Sequence, residues 1–144
     1  MGNLFVLAFV AAGAAVVTRP VANMHSAPSE DIDVVSQAIL STNVQILEEK
    51  DGWARIRTPD DYTGWTPLSA LKACEKPYAA AGRVAQVESL FANLYRTASV
   101  TKFAPLMTAP YEVRLEVVSE PDEGNGRWIQ VRLPDDRAGW VQRG

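Results

Sequence analysis

The sequence predicts an all-β protein made of two small barrels in tandem. One sequence pattern occurs twice. Residues 22–29 resemble residues 92–99, and residues 52–65 resemble residues 127–140. Self-similarity of this kind marks one structural unit used more than once. In both copies, short runs of alternating apolar and polar residues are separated by Gly, Pro, Asp and Asn, and this favours several short strands over helices. Many short strands with regular turns are typical of small barrels.

The spacing of the repeats sets the domain boundaries. Copy two carries a five-residue insertion, which we expect in the turn-forming segment 119–126. We expect an apolar leader at 1–15, a first domain at 16–73 (copy one), a linker at 74–82 and a second domain at 83–144 (copy two). Domains of this size can fold alone, although with little stability to spare.

The strands are predicted in the same order in both copies. Alternation and turn positions place those of copy one at 17–24, 35–39, 44–48, 53–57 and 63–66. Those of copy two are placed at 87–95, 103–107, 113–118, 128–132 and 139–141.

The amino terminus is apolar from Leu4 to Val17. This run is shorter than the ~20 residues that span a bilayer, so no transmembrane helix is predicted. It resembles the hydrophobic region of a secretory signal with a small-residue cleavage site at 12–14, although no Lys or Arg precedes it. We therefore expect an exported protein, cleaved near Ala14 with the first strand left whole. The alternative is that part of the run is itself the first strand.

Composition excludes several classes of protein. With 47% hydrophobic residues, 22% charged residues and a net charge of -3, the chain is globular and lacks the basic stripe of nucleic-acid-binding proteins. Its single cysteine, Cys74, cannot form an intrachain disulfide or a multi-cysteine metal site. Cys74 and the only histidine, His25, are the residue types of a nucleophilic dyad, but no glycine-rich turn surrounds the cysteine. We predict no catalysis by this chain, no cofactor and no metal.

Alternation along the strands selects the candidate binding residues. In 53–57, the small and aliphatic side chains share one face and Trp53 and Arg55 share the other. Residues 128–132 of copy two alternate in the same way, so Trp128 and Arg132 lie on the polar face of that strand. Tryptophan beside arginine is typical of recognition surfaces. The alternative is that each Trp covers the rim of its own barrel or packs between the domains.

Turns supply one more candidate. Tyr62 has Arg137 as its counterpart in copy two, and this divergence suggests that the two domains differ in function. We take Tyr62 and the loop 26–33 as candidates for contact with a peptide or a catalytic domain. The acidic pairs at 60–61 and 135–136 follow proline and are predicted to form turns.

The segment Gly64-Trp65-Thr66-Pro67-Leu68-Ser69-Ala70-Leu71 resembles the end of an SH3-like barrel, in which a strand enters a short 3₁₀ turn and then a last strand. Together with 21–24, 34–37, 52–57 and 62–65, it makes each copy similar to a bacterial SH3 (SH3b) domain. The resemblance covers about 16–72 and 83–144. Copy two ends at Gly144, the equivalent of Ser69, so the second barrel is expected to lack its last strand, and we expect the chain to be a truncated part of a larger protein. The alternative is that copy two dispenses with that strand or borrows its pairing from elsewhere.

A tandem pair of this kind is similar to the N-terminal, non-catalytic part of NlpC-type cell-wall cysteine peptidases, which include γ-D-glutamyl-L-diamino-acid endopeptidases. The resemblance implies a module that binds peptidoglycan or its stem peptides, in the periplasm or envelope of a bacterium. It also implies a catalytic domain that this sequence does not contain. The alternatives are a structural spacer and an SH3-type adaptor for protein partners. The adaptor is less favoured, because Gln142 replaces Pro67 in copy two.

Overall fold

The computed structural model describes residues 13–119 and 126–144. Within these ranges the chain forms thirteen β-strands and one 3₁₀ turn, without an α-helix. The predicted all-β class is therefore confirmed. No helix in the described part of the chain is long and apolar enough to cross a membrane.

Copy one forms a single antiparallel sheet. Its order is β3-β2-β6-β5-β4-β1-β7. A 3₁₀ turn at Leu68–Ala70 joins the last two strands, so the predicted strand, turn and closing strand are all present. The strands are β1 (Gly13–Val17), β2 (Val21–His25), β3 (Val34–Ile39), β4 (Asn43–Lys50), β5 (Trp53–Arg57), β6 (Thr63–Pro67) and β7 (Leu71–Ala73).

Copy two has the same succession of strands in a more open arrangement. A four-stranded sheet has the order β13-β12-β11-β8, and β9 pairs separately with β10. A bridge between Tyr95 and Trp140 connects the two sheets. Within the described residues β8 pairs with β11 alone, so the second barrel lacks a closing strand, as predicted. The strands are β8 (Val84–Gln86), β9 (Phe91–Leu94), β10 (Met107–Pro110), β11 (Arg114–Ser119), β12 (Trp128–Arg132) and β13 (Ala138–Gln142).

The first predicted strand of each copy was wrong in the same way. The single strand predicted at 17–24 is the end of β1, a turn through Pro20, and β2. Proline fixes its own backbone and has no N–H for the ladder, so the chain turns there. In copy two, β8 and β9 replace the strand predicted at 87–95, and β10 begins only at Met107. The strands predicted at 53–57 and 128–132 agree with β5 and β12 to the residue.

The apolar run at the amino terminus contributes a strand to the core. Gly13 lies opposite Ile46 and Ala14 lies opposite Gln45 in the β1–β4 ladder, and Ala15 and Val17 are fully buried. The predicted cleavage site at 12–14 therefore overlaps β1, and cleavage near Ala14 would not leave this strand whole. For residues 13–17 the alternative interpretation, a folded strand, is correct. Residues 1–12 lie outside the described part, and the export signal stays a prediction.

A compact apolar cluster fills copy one. It consists of alternate residues from the strands, with Leu68 and Leu71 packed against it from the 3₁₀ turn and β7. Pleating sends successive side chains to opposite faces, so the alternating pattern read from the sequence puts these residues on one side of the sheet. The buried members are Ala15, Val17, Ala22, Met24, Ala38, Val44, Ile46, Ala54, Ile56 and Ala70.

Thr66 is the polar exception in this core. It is fully buried, and within the residues described its Oγ1 has no hydrogen-bond partner. Copy two has Val141 at this position. Because an unsatisfied buried hydroxyl costs about 1–3 kcal/mol, we expect Thr66→Val to raise the thermal midpoint of unfolding. Thr63→Val, an exposed change in the same strand, is the control and should have little effect. A lower midpoint for Thr66→Val alone would show that the hydroxyl is satisfied.

The two copies share apolar packing and hydrogen bonds. Leu40 follows β3 of copy one but is buried in the core of copy two, with Ile39 packed against the same cluster. From the linker, Tyr78 is 4% exposed and its Oη accepts a hydrogen bond from the Glu116 backbone N–H at 3.0 Å while donating to the Arg132 carbonyl. These contacts fix copy two against copy one.

Candidate functional site

The outer face of β5 carries the first predicted site residues. Ala54 and Ile56 are fully buried, whereas Trp53 and Arg55 are partly exposed on the opposite face. The alternation predicted from the sequence is therefore present in the strand. Because Trp53 and Arg55 are partly exposed, a ligand can reach this face of β5.

Trp53 belongs to an aromatic group that we call the Trp53 cluster, made of Trp53, His25 and Trp65. The His25 and Trp53 rings meet edge to face, with centroids 5.7 Å apart and an angle of 86° between their planes. His25 lies opposite Trp65 in the β2–β6 register. Since a carbonyl can only accept, His25 Nδ1–H donates to Ile32 O at 2.9 Å, and this bond holds the ring in place. Trp53 and Trp65 are partly exposed and offer an aromatic surface, whereas His25 is buried and supports Trp53 from within.

Arg55 adds a positive charge beside this cluster. It lies opposite Trp65 in the β5–β6 register, and its Nε donates to Glu48 Oε1 at 2.7 Å. The two side chains are 38% and 44% exposed. An ion pair that water can reach contributes little to stability, so a ligand carboxylate can replace Glu48 at small cost.

Copy two has an equivalent aromatic group without the charge. Tyr95 and Trp128 meet edge to face at 5.6 Å and 83°, and Tyr95 exchanges backbone hydrogen bonds of 2.8 Å with Trp140. Gln130 lies opposite Trp140 where copy one has Arg55, and it accepts a hydrogen bond from Ser119 Oγ at 3.0 Å. The two faces therefore share their shape and differ in charge.

Arg132 lies in a different environment from the other predicted residues. Its guanidinium contacts the carboxylates of Glu116 and Asp136 at 2.5 Å each and lies 5.5 Å from the centre of the Tyr78 ring. The two ion pairs lie within copy two, and the contact with Tyr78 joins the linker to it. A ligand-binding role for Arg132 stays a prediction, and any such ligand would have to compete with two carboxylates.

Tyr62 is 57% exposed and lies in the turn between β5 and β6. The turn is closed by hydrogen bonds from the Thr58 N–H to Tyr62 O at 2.9 Å and from the Asp61 N–H to Thr58 O at 3.0 Å. Copy two repeats this geometry, and Asp61 and Asp136 both have positive φ. The acidic pairs are therefore turn formers, as predicted. Tyr62 lies at the opposite end of the hairpin from Trp53, about 13 Å along the strand.

Hydrogen bonds join the two ends of the loop at 26–33. Ser26 Oγ donates to Asp33 Oδ1 at 2.5 Å, and the Ser26 N–H donates to Asp33 O at 3.3 Å. Through Ile32 the loop also supports His25, so it borders the Trp53 cluster. It is thus placed next to the aromatic face, although its predicted contact with a partner stays a prediction.

The environment of Cys74 is unsuited to nucleophilic catalysis. Cys74 packs with Val16, Tyr78 and Ala79, whereas His25 contacts Trp53 and Ile32. Burial raises the pKa of the Cys74 thiol, and nearby Lys72 opposes this only in part. A raised pKa leaves less thiolate, which is the reactive form. Within the described residues, no group of three His, Cys, Asp or Glu side chains could hold a metal ion.

The predicted residues therefore occupy three places: Trp53 and Arg55 on the polar face of β5, Trp128 and Arg132 at opposite ends of the polar face of β12, and Tyr62 in the turn after β5. Sequence reasoning did not include His25 in the binding face. The available signal was its alignment with Tyr95, since both copies place a ring at this point.

Comparison with known proteins bears on both copies. Residues 24–71 match the family described as "Bacterial dipeptidyl-peptidase Sh3 domain", and residues 74–144 match the family described as "GW (Gly-Tryp) dipeptide domain". The resemblance to bacterial SH3 domains drawn from the sequence is confirmed. No curated protein sequence matches this chain significantly.

A solved structure supports the fold. The chain is similar to an NlpC/P60 family protein from Bacillus cereus, with a TM-score of 0.69 and 20% identity, over 90% of this chain and 54% of that one. NlpC2 from Trichomonas vaginalis has a TM-score of 0.40 and 14% identity, over 94% of this chain and 47% of that one. NlpC1 from the same organism has a TM-score of 0.40 and 13% identity, over 99% of this chain and 49% of that one. The chain thus spans about half the length of the solved structures it matches.

Proposed function

We propose that this chain, an SH3-type domain followed by a Gly-Trp domain, is a non-catalytic module that binds peptidoglycan or its stem peptides. The observation that carries the proposal is the Trp53 cluster with Arg55 beside it on a partly exposed sheet face. A flat aromatic surface packs against sugar rings or peptide backbone, and a guanidinium pairs with carboxylates. Stem peptides carry free carboxylates beside apolar alanine side chains.

The two faces have different parts in this proposal. Copy one supplies an aromatic surface and an exchangeable ion pair, whereas copy two supplies an aromatic surface and the neutral Gln130. We therefore assign the main binding contribution to copy one and a weaker one to Trp128. Tyr62, which lies in a turn, and Arg132, which lies at the opposite end of β12 from Trp128, are secondary candidates.

Binding is tested by sedimenting the purified chain with insoluble peptidoglycan sacculi. We expect Trp53→Ala to weaken retention at least about tenfold, because a central interface tryptophan typically contributes ~2 kcal/mol or more. Trp128→Ala should weaken retention less. Arg55→Gln, which mimics copy two, should weaken it and reduce its sensitivity to salt.

Tyr111→Ala is the control, since Tyr111 is 52% exposed and outside both aromatic faces. Thermal unfolding of each variant checks that the fold survives. Wild-type chain that stays in the supernatant, or equal losses for Trp53→Ala and Tyr111→Ala, would contradict the proposal.

We further propose that the module works beside a catalytic domain of NlpC type in a longer exported polypeptide, in the periplasm or cell envelope of a bacterium. The likeness to an NlpC/P60 family protein that is about twice as long supports this arrangement. In that setting the module would hold the peptidase at the wall or border its substrate cleft. The residues at 26–33 and Tyr62 would then be candidates for contact with the catalytic domain.

A second candidate function is a rigid spacer. It is favoured by the shared packing of the copies, in which Leu40 of copy one completes the core of copy two and Tyr78 bonds both Glu116 and Arg132. A spacer needs this rigidity and no ligand. The sedimentation experiment separates the two functions, because a spacer does not require either aromatic face.

A further inference from the structure

A small polar pocket lies in copy one, at the end of β5 that is far from Trp53. It has a volume of about 300 Å³ and lies between the start of β4 and the turn after β5. Its lining carries a positive and a negative charge, because Arg57 and Asp61 both contribute to it, and both side chains are exposed. The other lining residues are Asn43, Gln45, Thr58 and Pro59.

Neither charge in this pocket is neutralised by a neighbour in the part of the chain that the structure describes. The Arg57 guanidinium has no hydrogen bond, ion pair or ring contact there, and the Asp61 carboxylate has none either. Gln45, which lies opposite Arg57 in the β4–β5 register, is uncharged. Asn43 uses both ends of its side-chain amide on the backbone of Tyr78, so it has none left for a ligand. The two charges are therefore open to an occupant.

Copy two has the same two charges in a closed arrangement. They belong to Arg132 and Asp136, which pair with each other at 2.5 Å. Glu116 also pairs with Arg132 at 2.5 Å, from the place where copy one has the neutral Gln45. Lys72, which comes from copy one, contacts the Asp136 carboxylate. Copy two therefore satisfies internally the charges that copy one leaves open.

From this comparison we propose that the pocket at Arg57 and Asp61 binds an end group that carries both a carboxylate and an ammonium, as a free amino acid does. The guanidinium binds the carboxylate through paired hydrogen bonds, and the Asp61 carboxylate accepts hydrogen bonds from the ammonium. A ligand with one charge would meet a group of its own sign, whereas a ligand with both charges satisfies both residues. The volume lies at the lower limit for ligand pockets, so an end group fits and a whole sugar or peptide does not.

The place of the pocket connects it with the proposed binding of stem peptides, on which the identity of the ligand rests. Trp53, Arg55 and Arg57 alternate along the same face of β5, so the pocket lies about 13 Å from Trp53. An extended peptide covers this distance with about four residues. A stem peptide whose diamino acid keeps a free amino and a free carboxyl group can therefore contact the Trp53 cluster and the pocket together. Free amino acids carry the same end group and are the other source of this chemistry.

The test is an NMR titration of the full chain, followed through the backbone amide signals of Arg57 and Asp61. The first ligand is the tripeptide L-Ala-γ-D-Glu-meso-diaminopimelate, and its matched control has L-Lys at the third position, which removes only the side-chain carboxylate. We expect the control to bind at least about tenfold more weakly, because the charge-assisted pair with the guanidinium is lost. Acetylating the free side-chain amine of the first tripeptide should weaken binding in the same way. Glycine binding as tightly as the first tripeptide would support the site and assign it to free amino acids.

Two variants assign the charges. Arg57→Gln should bind the two tripeptides equally, and Asp61→Asn should bind the acetylated and unacetylated forms equally, with the thermal midpoint of unfolding unchanged because both side chains are exposed. Arg55→Gln and Asp51→Asn are the matched controls and should keep both preferences, since neither residue lines the pocket. Asp51, like Asp61, lies in a turn with positive φ. Equal binding of the two tripeptides by the wild-type chain, or a preference that survives Arg57→Gln, would overturn the proposal.

The outcomes are separable from those for wall binding. A chain that sediments with sacculi but does not distinguish the tripeptides would overturn this site and leave the proposed function in place. A chain that distinguishes the tripeptides but stays in the supernatant would support the site and contradict wall binding.

Discussion

Replacing Tyr78 with alanine is expected to lower the free energy of unfolding by about 3–5 kcal/mol and to separate the unfolding of the two copies. Tyr78 is buried, although it lies in the linker, and its hydroxyl bonds to two residues of copy two. Asn43 of copy one donates its Nδ2–H to Tyr78 O at 2.9 Å and accepts from the Tyr78 N–H at 2.8 Å. The ring and backbone of one residue thus join both copies.

The measurement is calorimetric unfolding. Wild-type chain should unfold in one transition, and Tyr78→Ala should give two, because the coupling between the copies is lost. Tyr78→Phe keeps the ring and removes the hydroxyl, leaving the Glu116 N–H unsatisfied, so its cost should be only about 1–3 kcal/mol. Tyr111→Ala, an exposed tyrosine, should have little effect. A single transition for Tyr78→Ala would contradict this, and would show that other contacts, such as those of Leu40 and Ile39, couple the copies without it.

Alkaline titration gives an independent test of the same residue. Burial, more than any other influence, raises the pKa of Tyr78 from 10.0 to about 12 in the folded chain. A raised folded-state pKa means that the neutral phenol stabilises the fold below pH 10, and that this contribution is lost as the pH rises from 10 to 12. Tyr78→Phe should remove this part of the pH dependence.

Gly64→Ala is expected to destabilise the chain by about 1–3 kcal/mol, whereas Gly139→Ala should be almost neutral. Both glycines precede the tryptophan of a Gly-Trp pair. A Cβ on Gly64 would lie 2.9 Å from Met24 Cβ, closer than real contacts allow, and 3.2 Å from His25 O, which is a tight contact. A Cβ on Gly139 would have its nearest neighbours at 3.6 Å, an ordinary contact.

Chemical denaturation of the two variants checks this prediction, because the changes are chemically identical. Gly64→Ala must separate β6 from β2, and this also displaces His25 from Trp65. It should therefore weaken binding to sacculi, if the Trp53 cluster is the binding face, in addition to lowering stability. Equal losses of stability in the two variants would contradict the steric argument.

Parts of this structure could be predicted from local sequence. The faces on which the side chains of β5 and β12 lie could be predicted, because successive side chains of a strand point to opposite faces. The acidic turns follow from the preference of Asp for turns and positive φ. The closing strand, 3₁₀ turn and last strand of copy one follow from the Gly64–Leu71 pattern. The predicted long strand at 17–24 is wrong because the chain turns at Pro20, between β1 and β2.

The sequence by itself determined the all-β class, the two similar units and the face on which each tryptophan lies, since these depend on residues close together in the chain. Only the tertiary structure decided that the apolar amino-terminal run includes β1, that His25 completes the aromatic face, and that Tyr78 and Leu40 join the copies. It also decided which charged residues pair, because Lys72 of copy one contacts Asp136 of copy two. These features depend on contacts between residues distant in sequence, such as Tyr78 with Glu116 and Arg132, and no local pattern encodes which distant surfaces will meet.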